Sequence, residues 1–239
     1  MVKAAVNART RARGATVAIV AIALGVMSGR ASAANVTEVN AGRSDLSVFL
    51  LEGPIVGGET LTLESFVGKL PPNRAVAVIL NSPGGNLDEG LKLGRFLHRA
   101  RISTFVLGYG GGCYSACAIA FLGGRDHDGR PSRVKMTGGA LGFHQFRRER
   151  DPAKADQKFT KADIEQEVMM TRRTAFAIIE YLTDIDEDMS FLHLMLKAPT
   201  ANVNLLSNEE AVTYGIHVMD QKSDQVIDSA NIRARTDAR

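Results

Sequence analysis

Gly108-Tyr109-Gly110-Gly111-Gly112-Cys113-Tyr114-Ser115-Ala116-Cys117-Ala118-Ile119-Ala120-Phe121-Leu122-Gly123-Gly124 is the stretch that decides the fold. The β-branched and apolar run at 102–107 enters it as a buried strand. Glycines then let the backbone turn tightly and reach positive φ. The Ala- and Leu-containing run that leaves it has the composition of a buried helix. Ser115 falls at the turn where that helix begins, close to unpaired N–H groups and the positive end of the helix dipole. A hydroxyl there has two readings. It caps the helix, or it is a nucleophile presented on a strand-to-helix elbow.

Upstream, 47–51 reads as a strand ending at Glu52-Gly53-Pro54, with a second short strand near Ile55 and Val56. Helical spacing at Leu61, Leu63, Phe66, Val67 and Leu70 predicts a helix over 60–70, stopped by Pro71-Pro72-Asn73. The run Ala-Val-Ala-Val-Ile-Leu at 75–80 is continuously apolar, as a strand buried on both faces should be. Asn81-Ser82-Pro83-Gly84-Gly85 follows directly. Asn86 with Glu89 then forms a capping-box pattern, and Leu87, Leu91, Gly94 and Leu97 give that helix its inner face. Downstream, 133–137 and 140–146 read as strands around Gly138-Gly139. Strand and helix alternate, which predicts an α/β layer with a largely parallel sheet.

The last third reads as helical. Residues 147–161 are charged and contain Pro152, giving an exposed loop or a flap beside a site. Thr160 with Asp163 opens a long helix whose inner face would be Ile164, Val168, Thr171, Ala175, Ile178, Ile179 and Leu182. Asp184 with Glu187 opens another, with Met189, Leu192 and Leu196 inward. Ser207 with Glu210 opens a third, ended by Gly215. Residues 216–219 read as a last strand.

The 239 residues are 45% hydrophobic and 23% charged, which suits one domain with a sizeable core. Lys3, Arg9, Arg11 and Arg13 precede an uncharged apolar run at 15–27, and Ala31-Ser32-Ala33 offers a small-x-small cleavage site. This is the layout of a secretory signal peptide covering 1–33. The alternative is an uncleaved anchor through 15–27. The segment carries five basic residues, Arg30 included, and no acid, so its removal takes the formal net charge from +3 to −2. The basic balance therefore gives no argument for nucleic acid, and no basic stripe with interleaved aromatics appears. The domain is expected over 34–228 and a fraying polar tail over 229–239. Export, to the bacterial periplasm, places Cys113 and Cys117 where disulfides persist. They read either as a bridge flanking Ser115 or as small buried side chains packing the elbow. Two cysteines without a nearby His are not a zinc set, and neither a metal nor a cofactor is expected.

Hydrolysis of an amide or ester needs a nucleophile, a base and oxyanion donors. Of the five histidines, His144 alone ends a short apolar run in a glycine-rich neighbourhood, 29 residues after Ser115. Gly84 and Gly85 leave a buried strand and open a helix, so their N–H groups are candidate donors, as is that of Ala116.

Leu80 to Gly85, then Ser115-Ala116 at the elbow, then Phe143-His144-Gln145, then Leu205 to Ile216 follow one another in an order and spacing that resembles the Clp protease proteolytic subunit and its exported relatives. The resemblance spans about 48–218. It implies a crotonase-like fold of repeated ββα units with a helical C-terminal part. It also implies Ser115 as nucleophile, His144 as base, oxyanion donors from Gly84 or Gly85 with Ala116, a peptide or protein substrate, and a homo-oligomer. The chain departs from the family at the acid. Residues 197–204 hold no carboxylate, and Asn202 is the nearest candidate to orient the imidazole, with Asn204 and the aspartates 184, 186 and 188 behind it. An exported chain has no cytosolic ATP-driven unfoldase, so the activity implied is ATP-independent. Three further readings stay open. A catalytically silent member would bind peptide or a partner through the same groove. A Ser-Lys peptidase would use Lys135. Acyl-CoA chemistry would use the glycine donors without Ser115 beside His144.

Overall fold

A computed structural model describes residues 33–108, 110–145, 159–197, 203–220, 222–223 and 225–227. Most of the segment read as a signal peptide, the whole of 229–239, and Asn202 lie outside these residues, as does most of the possible flap at 147–161. No helix among the described residues is long and apolar enough to cross a membrane.

The chain is a mixed α/β protein built on a mostly parallel sheet. Strands β1 (Asn35–Val39), β2 (Leu46–Glu52), β3 (Ala75–Asn81), β4 (Ser103–Val106), β6 (Arg133–Met136), β9 (His217–Met219) and β10 (Val226–Ile227) form seven strands in the order β1-β2-β3-β4-β6-β9-β10. From β2 to β9 every pairing is parallel, and only the edges β1 and β10 run antiparallel. The apolar run of β3 is buried on both faces. Val78 and Leu80 join the main core, while Ala77 and Ile79 join a second cluster with Val48, Phe105 and Met136.

A smaller sheet was not expected from the sequence. Strands β5 (Gly112–Tyr114), β7 (Ala140–Phe143) and β8 (Asn204–Leu205) pair in the order β5-β7-β8. The glycine-rich elbow therefore contains a strand. Gly-Cys-Tyr has little strand propensity of its own and is held by its neighbours: Ser82 N–H donates to the Gly112 carbonyl at 2.7 Å and Tyr114 N–H to the Ser82 carbonyl at 3.0 Å. The last strand before His144 ends at Phe143, short of the expected 146.

The described residues also form six helices: α1 (Glu59–Val67), α2 (Leu87–Arg99), α3 (Ala116–Phe121), α4 (Lys161–Asp184), α5 (Ser190–Lys197) and α6 (Asn208–Thr213). Capping boxes open α4 at Thr160/Asp163 and α6 at Ser207/Glu210, and Gly215 takes φ 69° after α6. At α2 only half of the expected box forms. Asn86 accepts the Glu89 N–H, worth about 1 kcal/mol, but the Glu89 carboxylate accepts Thr60 N–H at 2.9 Å and ties α1 to α2.

The inner face of α4 differs from the expected one. Ile178, Tyr181 and Leu182 are buried, whereas Ile164 and Val168 are exposed. Its C-terminal half docks through Tyr181, whose hydroxyl donates to the Ile119 carbonyl at 2.7 Å. Gly94 of α2 makes that approach possible, since a Cβ there would lie 2.1 Å from the tyrosine oxygen. Glu187 does not begin a helix with Asp184. Its side chain is buried and ion-paired, α5 starts at Ser190, and the residues that α5 buries are Phe191, Leu194 and Met195.

Candidate active site

Strand register brings the candidate residues to one edge. Ser82 bridges Cys113 in parallel, so two residues further along each segment Gly84 lies beside Ser115. Tyr114 pairs with Gly142 in parallel, which puts Ser115 beside the Phe143-His144 end of β7. Ser115 N–H donates to the Gly142 carbonyl at 3.0 Å and fixes that level. Three strand ends thus deliver Gly84-Gly85, Ser115 and His144 to one place, and Gly85, Ser115 and His144 line one cavity of about 460 Å³.

Ser115 sits at φ 56°, ψ −123°, a conformation that L side chains rarely adopt and that costs on the order of 1–3 kcal/mol. It occupies the N-cap position of α3 yet makes no side-chain cap hydrogen bond. The cap reading of this hydroxyl is therefore not the one the geometry gives. A disulfide joins Cys113 to Cys117, with Cα atoms 5.2 Å apart, and closes the elbow around the serine.

The two glycines separate into different roles. Gly84 N–H donates to Ser82 Oγ at 3.0 Å and is engaged within its own turn. What Gly84 supplies is room: a Cβ would lie 2.6 Å from Ser115 Cβ and 2.5 Å from the Tyr114 carbonyl. Gly85, at φ 137°, bridges Ile55 through its neighbours and keeps its own N–H without a partner among the described residues. The N–H of Ala116, first in α3, is likewise open.

His144 is half-buried, and its Nδ1 lies 2.6 Å from the Gln145 carbonyl. Gln145 Nε2 in turn donates to the Leu196 carbonyl of α5 at 2.7 Å. The cavity walls are apolar on the core side, from Leu87, Ile119, Phe143 and Met195, and mixed on the α4 side, from Gln166, Glu167, Met170, Thr171 and Thr174. The sequence pattern assigned Thr171 to a core-facing stripe; it faces the cavity. The bond from Gln145 to Leu196 was likewise not seen in sequence, where Gln145 figures only as the residue that follows His144 in the segment Phe143-His144-Gln145.

The remaining candidates are elsewhere. Lys135 lies in β6, and its amine donates to Asn208 Oδ1 at 2.6 Å; burial pulls its pKa down, but it does not line the cavity. His98, His127, His193 and His217 do not line it either. The chain matches no protein-family model and no curated protein sequence.

Proposed function

We propose that this chain is an exported, ATP-independent serine peptidase or related hydrolase of the Clp protease type, on a crotonase-like frame. The observation that carries the reading is Ser115. It is held in a strained elbow without capping its helix, and it opens onto a cavity shared with His144 and with Gly85, whose N–H has no partner among the described residues. Strain of this kind persists where the surroundings impose it, and it clusters at functional sites.

The proposed chemistry is acyl transfer. His144 Nε2 takes the proton of Ser115 as Oγ bonds to the substrate carbonyl carbon. The N–H groups of Gly85 and Ala116 receive the developing oxyanion. The imidazolium then gives its proton to the leaving group as the old bond breaks, and water repeats the sequence to release the acid. The frame is consistent with ββα repeats, since β4-β5-α3 and β6-β7-α4 each place one strand in the large sheet, one in the small sheet, and then a helix. The disulfide suits export to an oxidising compartment such as the periplasm. A homo-oligomer completes the proposal, and the exposed Ile164, Met169 and Phe176 of α4 are apolar surface that such an assembly would cover.

One observation favours a silent, peptide-binding member instead. No hydrogen bond joins the Ser115 hydroxyl to the His144 ring, although such bonds are often loose before substrate binds. Hydrolysis of chromogenic esters and peptides by the 34–239 chain separates the two. The hydrolase reading expects turnover that disappears in Ser115→Ala. Turnover equal in wild type and Ser115→Ala overturns it.

A further inference from the structure

Resting on that reading, we propose that Gln145 is the positioning residue of the site: its own peptide carbonyl, locked by its side chain to the end of α5, holds His144 as the Nδ1–H tautomer. A general base must present a bare nitrogen to the hydroxyl it deprotonates. Which ring nitrogen is bare is set by the hydrogen bond made at the other one. Here Nδ1 faces the Gln145 carbonyl at 2.6 Å. A carbonyl oxygen only accepts, so Nδ1 carries the hydrogen, and Nε2 of the neutral ring is the proton acceptor. Serine triads obtain the same tautomer from a carboxylate on Nδ1.

A carbonyl of the next residue orients a ring only if its peptide plane is fixed. The Gln145 side chain fixes it by donating to the Leu196 carbonyl, across 51 residues of sequence. Leu196 is the penultimate residue of α5, where carbonyls have no partner within the helix. The anchor therefore uses an acceptor that the helix leaves open. Met195, one residue earlier, is part of the cavity wall, so a single turn of α5 both shapes the cavity and steadies its base. When Ser115 gives up its proton to Nε2, the positive ring keeps its Nδ1–H on the same carbonyl. A neutral acceptor stabilises that cation less than a carboxylate would.

The test is the tautomer of His144, read from ring ¹⁵N shifts in uniformly labelled protein above the pH at which the ring is neutral. Wild type should show a protonated Nδ1. Gln145→Ala and Gln145→Met both lose the donor to Leu196 and should shift the ring towards the Nε2–H form. Labelling of Ser115 by a fluorophosphonate should slow in both variants by up to roughly 100-fold, as for a misplaced catalytic group. Nε2–H in wild type, or an unchanged tautomer in both variants, overturns the proposal. A wild type that shows the Nδ1–H form, and the shift in the variants, but never takes label upholds the anchor and brings down the hydrolase reading alone.

Discussion

Two polar clusters in this chain sit against the same core and differ in what their hydrogen-bonding groups are doing. In the first, the side chains of Arg125, Arg133 and Glu187 are 3–5% exposed, and both arginines pair with the glutamate. Glu187 pairs with Arg125 at 2.9 Å and with Arg133 at 2.5 Å. Arg125 also donates to the carbonyls of Gly124 and Ile185, and Arg133 lies over the Phe191 ring. In the second, the Ser115 hydroxyl and the Gly85 and Ala116 N–H groups have no partner among the described residues and face a cavity. Buried polar groups are normally satisfied. The first cluster is closed by ion pairs to one carboxylate, even though Arg133 Nε makes no hydrogen bond among the described residues; the second leaves its donors open beside a strained hydroxyl, and the proposed function rests on that difference.

The sharpest way to break this contrast is by activity. Ser115→Ala or His144→Ala should each lower kcat by roughly 10⁴- to 10⁶-fold, and the double variant little further, because groups that act as a unit do not add. Additive losses in steady-state kinetics would show that the two residues work separately. In the other cluster the loss should be of stability. Glu187→Ala leaves two buried guanidiniums without their carboxylate and should cost about 3–5 kcal/mol in urea unfolding. A loss within about 1 kcal/mol, as for an exposed pair, would mean that the cluster does not hold α4 and α5 to the sheet.

Reduction of Cys113–Cys117 lies between the two regions, since it should touch both fold and site. Opening so short a loop should cost about 2 kcal/mol and should also slow any reaction at Ser115. Alkylation of the purified, non-reduced protein, followed by mass spectrometry, should find neither thiol modified. Two alkylated cysteines would contradict the bridge.

The smallest effect concerns His98, half-buried near the charged cluster. Burial first, and the Arg125 charge next, pull its pKa below the ordinary 6.5. The folded state then holds this proton less tightly than the unfolded chain does. Its contribution to stability is complete above pH 6.5 and falls as the pH drops through that value towards the lower folded one. His98→Gln should flatten the slope of unfolding free energy below pH 6.5, and an unaltered slope would remove His98 as its source.

How far the sequence carries depends on whether a signal is local. The apolar run of β3 and the boxes at Thr160 and Ser207 are local patterns, and each forms where it was expected. Strand β5 is not legible because Gly112 to Tyr114 owe their extended form to Ser82 and Gly142. The α4 stripe misleads because helical spacing gives a face without saying what covers it; Thr171 meets a cavity and Ile164 is exposed. Glu187 matches a capping pattern, yet Arg125, 62 residues earlier, takes its carboxylate. The elbow was legible as a place for Ser115. That the Gly84 N–H is engaged while the Gly85 N–H is open was not, because it rests on one bond to Ser82 Oγ.

The central claim is that Ser115 is an open, activated nucleophile, and intact-mass analysis after exposure to a fluorophosphonate tests it most directly. The account predicts a single adduct on wild type, placed on Ser115 by peptide mapping, strongly reduced in His144→Ala and missing from Ser115→Ala. Folded wild type without any adduct, or an adduct that survives Ser115→Ala, would contradict it.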